Sequence, residues 1–137
     1  MPEAIVWNSG FSVGHPVLDE QHQDLLKLVN QLVGCMNDSS EEGTEAFHAT
    51  LNDISSLARA HFQAEERIIS RWDDSFLKEQ QAECEEYEER LTQHLFSATF
   101  GTVNKVEICQ YVSEWWLRHI QETATHLKQA MQRRGAI

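Results

Sequence analysis

His22 lies four residues after Leu18 and three before Leu25, His61 lies four after Leu57, and His119 lies four after Trp115. Glu65 follows His61 by a further four residues. On helices, these spacings put each imidazole and the carboxylate on the apolar face. An ionised carboxylate in an apolar core costs several kcal/mol unless something takes up its charge, and a bound cation does that directly. Imidazole and carboxylate groups projecting from facing helices are the donors from which metal sites in bundle cores are built. Any one such histidine reads most simply as a hydrogen-bonded core residue. Three on separate helices, with a glutamate beside one of them, point to a metal.

The elements that must carry these residues follow from apolar periodicity. With prolines only at positions 2 and 16, nothing interrupts helix formation from residue 17 onward. The spacing predicts helices over about 17–36, 44–71, 76–95 and 106–133. Their stripes include Leu18, Leu25, Val29 and Leu32, then Phe47, Leu51, Ile54 and Leu57, then Leu77, Tyr87 and Leu91, and finally Ile108, Val112, Trp115 and Leu127. Breaks are expected at Asn37–Gly43, at Asp73-Asp74-Ser75 and over Ser97–Lys105. Residues 1–16, with Trp7, Phe11 and Val13 among Gly10, Gly14 and Pro16, read as an extended arm packed on the body. The expected fold is all-α: one domain over 1–137, an antiparallel up-down-up-down four-helix bundle with an N-terminal arm.

Three stretches resemble bacterial hemerythrins. They are Val17-Leu18-Asp19-Glu20-Gln21-His22-Gln23-Asp24-Leu25, preceded by Trp7 and Phe11-Ser12-Val13-Gly14; His61-Phe62-Gln63-Ala64-Glu65-Glu66; and Trp115-Trp116-Leu117-Arg118-His119-Ile120. The resemblance spans nearly the whole chain. It implies a non-heme di-iron centre that binds dioxygen reversibly, held by five histidines and two bridging carboxylates.

The resemblance then breaks at three positions. Where it implies two histidines on the third helix, this chain has Gln80 and Cys84, and where it implies a bridging aspartate it has Ala124. The ligands that carry over are His22, His61, Glu65 and His119, so one iron's half is intact and the other is depleted. Cys84, four residues after Gln80 and three before Tyr87, is expected to face the interior and His119, where a thiolate would be a strong soft ligand. The expected metal set is therefore His22, His61, Glu65, Cys84 and His119, with Gln80, Trp115 and Glu122 as further cofactor-contacting candidates. Glu122 is a possible replacement for the missing aspartate, because Glu122, Thr123 and His126 follow His119 by three, four and seven residues on the inner side of the last helix. His15, His48 and His94 read as surface residues, and the glutamates at 83, 85, 86, 88 and 89 as a solvated face. Trp72, Trp115, Trp116 and Phe62 read as core and pocket lining.

Composition narrows the function classes. The net charge is −11 over 137 residues, and the only basic cluster is Arg133-Arg134, which argues against nucleic acid or anionic membrane as partner. No apolar run approaches the ~20 residues of a membrane span, and no leader pattern is present, so a cytoplasmic protein is expected. Cys35, Cys84 and Cys109 form no disulfide framework or CxxC pair. The expected function is binding or sensing of dioxygen or nitric oxide, or of redox state, at an altered iron site. The alternatives are iron-dependent peroxide or nitric oxide chemistry, a core repurposed for another cofactor such as noncovalent heme, and a metal-free interaction module with a vestigial site.

Overall fold

The computed structural model describes residues 4–71, 74–99 and 105–133, excepting the side chains of 74, 95–99 and 130–133. Trp72, Asp73, Gly101, Asn104 and Arg134, and the side chain of Arg133, lie outside the described residues. A short 3-10 turn, Ser9–Phe11, precedes four helices: α1 Pro16–Cys35, α2 Glu41–Ile69, α3 Asp74–Thr99 and α4 Lys105–Arg133. Among the described residues there is no strand.

The helix starts follow from capping chemistry. Pro16 opens α1 where its missing N–H costs nothing. Gly14, at φ 79°, makes the left-handed turn into it. Asp19 in the first turn accepts from Ser12 Oγ at 2.6 Å and from Val13 N at 2.8 Å, which ties the preceding segment to the helix. That segment is also pinned by Asn30, whose amide exchanges hydrogen bonds with the Ile5 N–H and carbonyl at 2.8 and 2.9 Å.

α2 begins three residues before the expected Thr44, because Ser40 caps it by accepting from Gly43 N at 3.0 Å. Gly43 is thus in the first helical turn, not the loop, and a Cβ there would meet the Asp38 carboxylate at 2.2–2.5 Å. α3 runs from Asp74 to Thr99, so Asp74 and Ser75 are helical and Ser97–Thr99 extend the helix into the expected break.

α1 packs against α2 and α4, and α3 packs against both as well, which closes the bundle. Two apolar clusters fill it. The larger includes Leu25, Val29, Leu51, Phe62, Tyr87 and Trp116. The smaller includes Leu18, Ala64, Ile69, Phe76, Ala124 and Leu127, where the starts of α1 and α3 meet the ends of α2 and α4. Fully burying each large side chain is worth roughly 1.5–3 kcal/mol. Between the two clusters, at the level of His22, His61, Gln80 and His119, the interior turns polar.

Candidate metal centre

His22, His61, Glu65 and His119 each offer one ligand atom, and those atoms all lie within 4.8 Å of one another. His22, His61 and Glu65 have no solvent exposure and His119 has 2%. α1, α2 and α4 supply one imidazole each, because each histidine sits one turn from a fully or nearly fully buried apolar residue on its own helix: Leu18, Ala58 and Trp115.

All three Nε2 atoms aim at a single oxygen, Glu65 Oε1. His22 Nε2 is 3.1 Å from it, His119 Nε2 is 2.9 Å away, and His61 Nε2 is also in close contact. The His61 tautomer is set from behind, where Nδ1 lies 2.7 Å from Gln21 Oε1. A carbonyl oxygen only accepts, so Nδ1 carries the hydrogen and, in the neutral ring, Nε2 presents a lone pair to the carboxylate. That Nε2 is buried with no hydrogen-bond partner, and His22 Nδ1 likewise has none. A lone pair facing a carboxylate oxygen in a dry core is unfavourable by itself and becomes favourable when a cation sits between them. The donor set therefore fits a cation, and nitrogen and carboxylate donors suit iron, zinc and related divalent metals.

Electrostatics agree. Burial alone would push the Glu65 carboxyl up, but His119 and His61 beside it hold it well below the usual carboxylate range, so it is the anion of the site. Burial pulls His22 down to about 4 despite its hydrogen bond to Glu65, with the neighbouring His61 contributing, so its ring is neutral at pH 7. A neutral His22 ring and an ionised Glu65 are in the protonation states that a metal requires of its ligands.

The remaining expected residues fall around this group. Gln80 is buried and donates its Nε2 to Glu65 Oε2. Trp115 is stacked on His119, with centroids 4.8 Å apart and planes at 12°. Phe62 and Trp116 stack on each other at 5.5 Å and border His119 and His61.

Cys84 is buried but is not one of the converging donors. It packs in the larger apolar cluster and lines a groove with Arg59, Phe62, Gln63 and Glu66. Burial, and then the carboxylate of Glu65, push its thiol up, which disfavours thiolate. Glu122 is half-buried and outside the converging group. Its charge falls instead on Glu83, whose carboxyl is raised by burial and by Glu122.

His126 does not touch the inner side of α4 as expected; it is exposed and stacks on Phe76 at 4.1 Å. Thr123 is fully buried, and its Oγ1 has no hydrogen-bond partner. His15, His48 and His94 are half-buried at the periphery of the bundle. Of the glutamate run, 85, 86, 88 and 89 are exposed and Glu83 is half-buried.

Sequence reasoning missed Gln21. Its position beside His22, on the flank of α1, is where a partner for an imidazole on α2 can reach, and metal-binding histidines nearly always need such a partner.

A helical bundle whose core holds three imidazoles around one carboxylate defines a cation-binding protein of the four-helix class. Residues 13–131 match the model of the Hemerythrin HHE cation binding domain, and the chain belongs to the hemerythrin family. It is 29% identical over 121 residues to a "Hemerythrin-like protein" from Naegleria gruberi, covering 88% of each chain, and equally to one from Naegleria fowleri. No solved structure is a significant match. Among the described residues, no helix is long and apolar enough to cross a membrane.

Proposed function

We propose that His22, His61, Glu65 and His119 hold a divalent cation, that this cation is iron, and that the protein uses it to bind or sense a small diatomic ligand, dioxygen or nitric oxide, or to register redox state. The observation that carries the reading is the convergence of three imidazole nitrogens on the one ionised carboxylate in a fully buried layer. Iron would supply an open coordination position and one-electron redox chemistry.

The chain's own residues do the rest. Glu65 offsets the ion's charge, and Gln21 keeps the His61 Nε2 lone pair directed inward. Phe62, Trp115 and Trp116 wall the site with apolar surface that excludes water and accepts a nonpolar diatomic molecule. Cys84 stays a packed thiol outside the coordination set, and Glu122 is not required.

Anaerobic reconstitution with ferrous iron, followed by addition of dioxygen or nitric oxide, tests this reading. An iron-dependent absorption change is expected that reverses when the gas is removed and is lost in His61→Ala. Bound iron whose spectrum neither gas alters would refute the sensing role.

A further inference from the structure

We infer that Gln80 is the residue that limits this core to a single cation, by holding the outer oxygen of Glu65. The inference rests on the reading that the cluster binds a cation at all. It departs from the two-ion pattern that the resemblance implied, and a contact within the chain carries it.

Glu65 has two oxygens with separate surroundings. Oε1 receives the three imidazole nitrogens, while Oε2 receives the Gln80 side-chain amide. A carboxylate only accepts, so the chemistry fixes which end of the Gln80 amide faces it: the NH2 group. Oε1 is already crowded by three imidazoles, so a second cation would draw on the other oxygen, Oε2. Here the second oxygen is capped by a group whose hydrogens carry partial positive charge, at the place where a second cation would have to bond. Gln80 is buried, its exposure being 3%, so water does not compete for that hydrogen bond.

The surroundings reinforce the cap. Ala124 offers no donor and packs with Leu18, Ile69 and Leu127. Thr123 Oγ1 is a spare buried oxygen, but it is a neutral hydroxyl. Among the described residues of this layer, Glu65 is the only anion. One divalent cation on one carboxylate leaves a single net positive charge spread over three imidazoles. Two would leave three positive charges in an apolar core, a cost that no group there offsets.

Gln80 is thus a positioning residue: it keeps Glu65 bound through one oxygen. Losing such a hydrogen bond to a metal-ligating carboxylate weakens metal binding roughly ten- to a hundredfold.

The test is cobalt(II) binding to the full chain, read as ions per chain by elemental analysis after gel filtration and as Kd by competition with a chelator. The wild-type chain and a Cys84→His/Ala124→Asp double variant that keeps Gln80 are each expected to bind one ion. Adding Gln80→His to the double variant is expected to raise this to two. Gln80→Met, which keeps the volume and removes the amide but adds no second donor set, is expected to bind one ion ten- to a hundredfold more weakly, and its Kd tests the hold on Oε2 even if the triple variant does not fold.

Two ions on the wild type or on the double variant would overturn the inference. So would one ion on a folded triple variant, or an unchanged Kd for Gln80→Met. No ion on the wild type would overturn the cation reading itself, and this inference with it.

Discussion

Replacing Gln21 with leucine perturbs the cation site without touching any of its four donors. In the wild type, Gln21 Oε1 takes the hydrogen of His61 Nδ1 at 2.7 Å, which in the neutral ring leaves Nε2 as a lone pair aimed at Glu65 Oε1. Without that acceptor the ring gains by moving its hydrogen to Nε2, where it can be donated to the carboxylate. A cation must then displace that hydrogen before it binds. Partners of this kind are worth roughly ten- to a hundredfold in metal affinity, or about 1.4–2.7 kcal/mol. Gln21 is only half-buried, so leucine should leave the fold intact. Gln21→Glu keeps an acceptor and makes the imidazole more basic, so its affinity should equal or exceed that of the wild type. Chelator competition with zinc or cobalt at pH 7, alongside thermal melts of the ion-free proteins, measures both effects. A Gln21→Leu chain that binds within twofold of the wild type would refute the tautomer argument.

Acid should destabilise the ion-free chain. His22 is held at about 4 in the folded state against 6.5 unfolded, so between those values the unfolded chain binds more protons and stability falls as pH falls, by on the order of 3 kcal/mol. Glu65, held below its ordinary range, extends the loss with the same sign at lower pH; urea melts from pH 7.5 to 4 that show a flat midpoint would contradict this. Trp116→Phe removes the 2.9 Å hydrogen bond from Nε1 to the buried Tyr87 hydroxyl and should cost roughly 1–3 kcal/mol in denaturant titrations, with the midpoint shifted and the slope unchanged. Ser40→Ala removes the α2 cap and should cost about 1 kcal/mol by the same assay, without changing cation affinity.

The bundle was legible because its helices keep strict apolar stripes, and three imidazoles on those stripes had to meet. His22, His61, Glu65 and His119 could be named from spacing alone. Cys84 shows where spacing stops. Helical period placed it on the buried side of α3, and it is buried, but a face is wider than a coordination sphere. Its sulfur packs in the apolar cluster rather than among the converging donors. His126 failed for a related reason: seven residues beyond His119, near the end of α4, the inward stripe is taken by Thr123 and Leu127, and the ring turns outward onto Phe76. Gln21 and the direction of the Gln80 amide were invisible, because hydrogen-bond partners across helices depend on side-chain rotation that periodicity does not encode. The helix-start chemistry of Asn37–Ser40 was legible, but Gly43 read as loop and put the start of α2 three residues late, where Ser40 in fact caps it.

On the proposed reading, His22, His61, Glu65 and His119, from three helices and with no sulfur, coordinate one cation in the bundle core. X-ray absorption at the metal edge of the zinc-loaded full chain tests it most directly. Nitrogen and oxygen neighbours alone are expected at about 2.0–2.1 Å, with outer scattering from three imidazole rings. A sulfur shell at about 2.3 Å, or a chain that retains no zinc, would contradict it.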